Sequence, residues 1–296
     1  MAKPQPQKVI KGTVLCLHGF AQNGPTFSAK ASGIRKILKK SGYHTVFING
    51  PLKLTPADLP FEAASLGADD KGEDPNFRGW VHTSVEKFDI KPPFESIKEA
   101  YAEHGPFIGI LGFSQGAGIV GLILNHINEI SGCDKAAENL KFAIMYSSFL
   151  FREESVQKYY QQKIKLPTLH IFGELDTLVS SERSQALVDL CENATVFKHP
   201  GGHYVPNTKD LLKREVAWVE SIVNPEGSQP EASPAPAKGQ GKGKKANGKA
   251  KDAGAVAAAA AAPAAKKPVE TEAEKQKREE DELNKLADEV GKLGTA

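Results

Sequence analysis

The stretch Pro106-Phe107-Ile108-Gly109-Ile110-Leu111-Gly112-Phe113-Ser114-Gln115-Gly116-Ala117-Gly118-Ile119-Val120-Gly121-Leu122-Ile123-Leu124 decides how this chain folds. It opens with an apolar run of strand length and closes with a helix-like segment, and between them a serine stands at the centre of Gly-x-Ser-x-Gly. A strand that turns straight into a helix bends so sharply that side chains two residues before and two after the central residue would collide. Glycine at 112 and 116 has no Cβ and avoids the collision. Such a turn holds the serine hydroxyl above the carboxyl edge of a sheet, which makes Ser114 the candidate nucleophile.

Outward from this turn, short apolar runs alternate with longer helical patterns. Strands are expected at 13–17, 43–48, 106–111, 142–147, 168–172 and 195–198. Helical stretches are expected at 27–40, 95–103, from the serine turn to 130, and at 153–163, 181–192 and 208–223. This order predicts a three-layer α/β fold in which a mostly parallel sheet of about six strands carries helices on both faces. The segment 49–77, rich in Pro, Asp, Glu and Gly, is too long for an ordinary connection and reads as a substrate-side loop or lid.

The globular part is expected to end at residue 223. From 224 to 269 the chain is a Lys/Ala/Gly/Pro linker, and 270–296 is a charged tail with Leu283, Leu286, Val290 and Leu293 at helical spacing. With no aromatic residue beyond 223, this region cannot bury enough apolar surface to offset the entropy of ordering. It is therefore expected to be disordered or partly helical. The formal net charge of +2 gives no overall attraction to nucleic acid, and the lysines of 238–251 lack the interleaved aromatics that stack on bases. Three scattered cysteines, Cys16, Cys133 and Cys191, make neither a disulfide framework nor a zinc site. Together with a polar N-terminus and no apolar run of spanning length, they point to the cytoplasm, with the nucleus as the alternative.

A serine hydroxyl needs a base within hydrogen-bond reach, and the base needs a partner to fix its tautomer. Of the eight histidines, His203 and His199 lie at or beyond the end of the last strand; His203 ranks first because Gly201-Gly202 beside it permits a tight loop. The third member is Asp176, just past the strand at 168–172, with Glu174 as the alternative and a plain turn or helix-capping role as the competing reading of Asp176. An oxyanion would meet the N–H of Gln115 and, from the loop Leu17-His18-Gly19-Phe20 after the first strand, the N–H of Phe20. Phe20, Phe77, Trp80 and Phe149 suit an acyl pocket and core packing equally well. No His/Cys/carboxylate cluster has metal spacing and no Gly-x-Gly-x-x-Gly follows a strand, so no cofactor is expected.

Four motifs together resemble the fungal family of serine hydrolases, which includes the vertebrate ovarian-cancer-associated hydrolase-like proteins. They are Leu17-His18-Gly19-Phe20 with Gln22-Asn23-Gly24, then Gly112-Phe113-Ser114-Gln115-Gly116-Ala117, then Gly173-Glu174-Leu175-Asp176, then Gly201-Gly202-His203-Tyr204-Val205-Pro206. The resemblance covers about residues 9–223. It implies an α/β-hydrolase fold, a triad of Ser114, Asp176 and His203, and esterase or thioesterase chemistry on a small-molecule acyl substrate. Arg78-Gly79-Trp80-Val81 matches the family's arginine-and-tryptophan stretch only loosely, and 69–74 is unusually acidic, so substrate choice stays open. The alternatives are acyl transfer to a nucleophile other than water and, from another class, a catalytically weak binding module recruited through its charged tail.

Overall fold

A computed structural model describes residues 10–59 and 76–225. Most of the expected lid and the whole of the 270–296 tail lie outside the described residues, as does the 224–269 linker beyond Pro225. The six main strands are β1 (Gly12–Leu17), β2 (Tyr43–Ile48), β5 (Gly109–Phe113), β6 (Phe142–Tyr146), β7 (Thr168–Gly173) and β8 (Ala194–His199). They form one sheet in the order β2-β1-β5-β6-β7-β8, and every neighbouring pair is parallel. A two-stranded antiparallel sheet, β3 (Leu52–Lys53) with β4 (Arg78–Gly79), stands apart.

Parallel strands need crossover segments, and these supply the two outer layers. The period-2 alternation of β1 divides the core: Val14 and Cys16 face one side with Ile34, Ile37 and Leu212, while Leu15 and Leu17 face the other with Ile119 and Val120. The first side is covered by α1 (Gly24–Lys30), α2 (Ser32–Lys40) and α8 (Lys209–Val223). The second carries α3 (Lys91–His104), α4 (Gln115–Ile123) and α5 (Ile127–Ser131). Short α6 (Ala136–Asn139) and α7 (Ser181–Val188) complete the helices named among the described residues. No helix among the described residues is long and apolar enough to cross a membrane.

Two long expected helices are each divided. The pattern over 27–40 breaks at Ala31, whose φ of −90° and ψ of 20° leave the helical basin; α1 and α2 both pack on β2, and α2 also meets α8. The helix after the serine turn tightens into a 3-10 turn at Leu124–His126 before α5 resumes. The first break coincides with Ser32-Gly33, a helix-weakening pair, whereas the second falls inside continuous apolar periodicity.

Beneath the sheet, the Tyr146 hydroxyl donates to Glu215 Oε2 at 2.6 Å, and Glu215 is fully buried with Oε1 unpartnered among the described residues. Burial pushes its carboxyl up to about 8 from 4.5, and the Tyr146 bond and the Arg214 charge offset this only in part. The folded protein therefore holds a proton that the unfolded chain has lost, and this group's contribution falls as pH rises from about 4.5 to 8. Buried His18 and His170 act oppositely: burial lowers both from 6.5 to about 4, so their contribution rises with pH and is complete by 6.5. Between pH 6.5 and 8 the Glu215 slope stands alone among these groups and amounts to about 2 kcal/mol. Denaturant melts over this window are expected to show wild-type stability falling by about that amount, while Glu215→Gln, which keeps an acceptor for Tyr146, stays flat; parallel curves would contradict the assignment.

Candidate active site

The turn between β5 and α4 consists of Ser114 alone, at φ 51° and ψ −117°, a region a non-glycine residue occupies only when its surroundings hold it there. Part of that hold is visible. The Ser114 N–H donates to Tyr146 O at 2.9 Å and the Ser114 carbonyl accepts from Gly118 N–H at 3.0 Å, tying the turn to the end of β6 and to the first turn of α4.

Two loops from the neighbouring strands converge on the serine. The loop after β8 carries His203 and the loop after β7 carries Asp176, and Glu174 N–H to His199 O (2.8 Å) and Leu175 N–H to Gly201 O (3.0 Å) fasten the two together. Gly173 makes this crossing feasible, since a Cβ there would stand 2.1 Å from Gly201 O. The outcome is a continuous relay: Ser114 Oγ lies 2.9 Å from His203 Nε2, and His203 Nδ1 lies 2.7 Å from Asp176 Oδ2. The His203 ring also packs at 4.9 Å on Phe113, the residue before the serine.

Asp176 is an acceptor with every lone-pair direction accounted for. Oδ1 receives the Leu178 and Val179 N–H groups at 3.0 and 2.9 Å, and Oδ2 receives His203 together with the Ser147 hydroxyl at 2.8 Å. Burial alone would raise its pKa; the bonds from Val179, His203 and Ser147 outweigh it and hold the carboxyl below the usual value. An ionised Asp176 accepts only, so Nδ1 of His203 carries the proton and Nε2 is left to accept the serine hydroxyl. Ser147, buried at the end of β6 with φ of 46°, has no motif around it, and sequence reasoning missed it.

Opposite the relay stands the loop after β1. A Cβ on Gly19 would lie 2.9 Å from the Phe113 ring and 3.4 Å from Ser114 Cβ, so this loop packs against the serine turn. Buried His18 organises it: Nε2 accepts the Gly50 N–H at 2.8 Å, which leaves the proton on Nδ1 to donate to Gly19 O at 2.7 Å. Burial keeps this imidazole neutral, with its pKa lowered to about 4. A trans peptide sets its C=O and N–H in opposite directions. Pinning the Gly19 carbonyl back on His18 thus turns the Phe20 N–H outward. Neither that N–H nor the Gln115 N–H, at the first position of α4, donates to any group among the described residues.

The Gln115 side chain does separate work that its motif does not disclose. Its Oε1 accepts the Trp80 N–H at 2.7 Å and its Nε2 donates to Val81 O at 2.9 Å, while Trp80 Nε1 donates to His18 O at 2.8 Å. The segment 78–81 is thereby locked to both the turn and the His18 loop, and Trp80 is a core residue, 1% exposed. Of the other aromatics weighed for a pocket, Phe77 packs with Ala21 and Leu54, Phe20 lies against that cluster, and Phe149 lines a cavity. The rivals for the relay lie elsewhere: His199 faces Tyr204 at 5.0 Å and its Nδ1 accepts Gly201 N–H, while Glu174 is exposed. Among the described residues no group of three His, Cys, Asp or Glu could hold a metal ion.

Comparison with known proteins identifies the family. The family model described as serine hydrolase (FSH1) matches residues 8–214. The chain is 35% identical over 238 residues to family of serine hydrolases 3 of Saccharomyces cerevisiae, covering 76% of this chain and 89% of that protein. It is 35% identical over 208 residues to esterase CG5412 of Drosophila melanogaster, covering 67% and 70%, and 32% identical over 229 residues to esterase OVCA2 of Danio rerio, covering 68% and 96%. A serine at a strained strand-to-helix turn, hydrogen-bonded to an imidazole, thus occurs in a chain that belongs to the FSH1 family of serine hydrolases.

Proposed function

We propose that the protein hydrolyses carboxylic esters or thioesters of small acyl substrates through an acyl-enzyme on Ser114. The observation that carries this reading is the unbroken relay from Ser114 Oγ through His203 to Asp176. In the first half-reaction Ser114 Oγ attacks the acyl carbonyl while His203 Nε2 takes the hydroxyl proton. The carbonyl electron pair moves to oxygen, and the Phe20 and Gln115 N–H groups donate hydrogen bonds to the resulting oxyanion. Collapse of the adduct breaks the bond to the leaving group, and His203 returns its proton to the departing alcohol or thiol. Water then attacks the acyl-serine with His203 again as base, releasing the acid and restoring the hydroxyl.

Asp176 remains ionised throughout, orienting His203 and stabilising its charged form. The donors of the oxyanion hole are backbone groups, so side-chain truncation at Phe20 or Gln115 leaves them in place. The test is rapid mixing with p-nitrophenyl esters of increasing chain length, followed by acid quench and mass analysis. The expected result is an acyl adduct on the peptide that carries Ser114, formed before the steady state and lost on standing with substrate exhausted. An adduct on another residue, or turnover that leaves Ser114 unmodified under every quench time while the acid accumulates, would contradict the mechanism.

A further inference from the structure

A cavity of about 220 Å³ is walled by Phe149, Leu150, Phe151 and Arg152 of the loop after β6, by Gln157, and by Arg183 of α7. Its position follows from the chain path. The Ser114 N–H is bonded to Tyr146 O, and Phe149 follows three residues later, on the loop that leaves the same sheet edge. One helical turn beyond Ser114, a Cβ on Gly118 would stand 3.0 Å from the Phe151 ring and 3.3 Å from Phe149 O. On the other side, Arg183 donates to Leu178 O at 3.1 Å, and the Leu178 N–H is one of the donors to Asp176. The walls of the cavity are thereby joined, at Gly118 and at Leu178, to the segments that hold Ser114 and Asp176.

Its chemistry is two-sided. The floor is apolar, with Phe149 and Phe151 edge to face at 5.2 Å. The rim is cationic: Arg183 lies over the Phe149 ring at 4.7 Å, and Arg152 is exposed. Neither guanidinium has a carboxylate within ion-pair distance among the described residues. Neighbouring carboxylates are placed elsewhere, Glu182 on Ser180 and Glu153 beside Tyr160, while the Gln157 amide nitrogen is taken by Phe151 O and Glu153 O. A guanidinium fixed by stacking and a single backbone bond keeps most of its N–H fork free for a carboxylate or a phosphate. At about 30 Å³ per water-sized group, the volume suits a short chain of roughly seven such groups.

We infer that this cavity is a specificity site for an anionic oxygen group carried a short chain away from the scissile carbonyl, with Arg152 and Arg183 as its ligands. The inference rests on the hydrolase reading and deepens it: preferred substrates carry a negative charge, as a carboxylate at the far end of the acyl chain or as a phosphate on the leaving group.

The experiment measures binding to the Ser114→Ala protein by calorimetry, so that it is independent of turnover. One pair of ligands is mono-p-nitrophenyl hexanedioate against p-nitrophenyl hexanoate; the other is 1-hexanoylglycerol 3-phosphate, whose phosphate lies a few atoms from the ester, against 1-hexanoylglycerol. The anionic member of one pair is expected to bind about tenfold or more tightly than its neutral counterpart. That ratio should fall toward one when Arg152→Met and Arg183→Met are added together, and Arg183→Lys should retain part of it. The pair that shows the preference identifies the charge as carboxylate or phosphate. Equal affinities within both pairs, or a preference that survives loss of both arginines, would overturn the site. Absence of turnover by the wild-type enzyme would instead sink the hydrolase reading and leave the binding ratios interpretable.

Discussion

Ser114→Ala is expected to lower kcat by roughly a millionfold, and His203→Ala by a similar factor, because the two act as one unit. The hydroxyl supplies the attacking electron pair, and without the imbalance created by His203 Nε2, 2.9 Å away, that pair is bound to a proton of high pKa. The double variant should therefore be no slower than either single one. Asp176→Asn is expected to cost about ten-thousandfold, since an amide facing Nδ1 permits the tautomer whose proton sits on Nε2 and opposes the serine. Steady-state rates on a p-nitrophenyl ester, normalised to folded protein, measure all four. Additive losses in the double variant would contradict the coupling that the relay requires.

The second large effect is steric. A Cβ on Gly116 would stand 2.3 Å from Leu17 O and 2.5 Å from His18 O, both backbone atoms at the end of β1. Neither can retreat cheaply, because Leu17 is held in the sheet between β2 and β5 and the His18 carbonyl accepts Trp80 Nε1. Gly116→Ala is therefore expected to destabilise the fold by more than about 3 kcal/mol, at the upper end of single substitutions. Whatever folds should also show kcat reduced at least about a hundredfold, through displacement of the Phe20 amide from the oxyanion position. Gly118→Ala supplies the contrast: its nearest obstacle is the Phe151 ring at 3.0 Å, and a side chain can yield a few tenths of an ångström. Urea denaturation of the two variants side by side, with turnover of the folded fraction, separates the cases. Wild-type stability and activity for Gly116→Ala would show that the turn does not pack on the loop after β1 as described.

The sheet was legible because parallel strands buried on both faces write themselves as continuous apolar runs, such as Phe142 to Tyr146 and Gly109 to Phe113. Helix boundaries were less so. The break at Ala31 is marked locally only by Ser32-Gly33, where Gly33 lets α2 approach Asn207 and Leu212. Within the site, legibility followed steric constraint. Glycine marks the serine turn and the crossing at Gly173, and His203 sits beside a pair of glycines. Gly201-Gly202 ranked His203 over His199 from sequence, and in the structure the His203 ring turns toward Ser114 while His199 lies on Tyr204.

Ser147 escaped notice for a different reason. Its hydroxyl matters only because β6 is neighbour to both β5 and β7, which brings the residue after Tyr146 under Asp176. The same holds for the buried His18 ring and the Gln115 amide, whose partners at Gly50, Trp80 and Val81 are remote in sequence. Residues that perform the chemistry stood in recognisable motifs, whereas residues that position them are specified by strand order.

The central claim is that one hydroxyl, at Ser114, is activated by His203. Labelling with a fluorophosphonate, followed by peptide mass mapping, tests it most directly, because the reagent phosphonylates only a serine whose proton is drawn off by a neighbouring base. The account predicts a single adduct on Ser114 in the wild type, none in Ser114→Ala, and strongly slowed labelling in His203→Ala. Undiminished labelling of Ser114→Ala, or an adduct mapped to any other serine in the wild type, would contradict it.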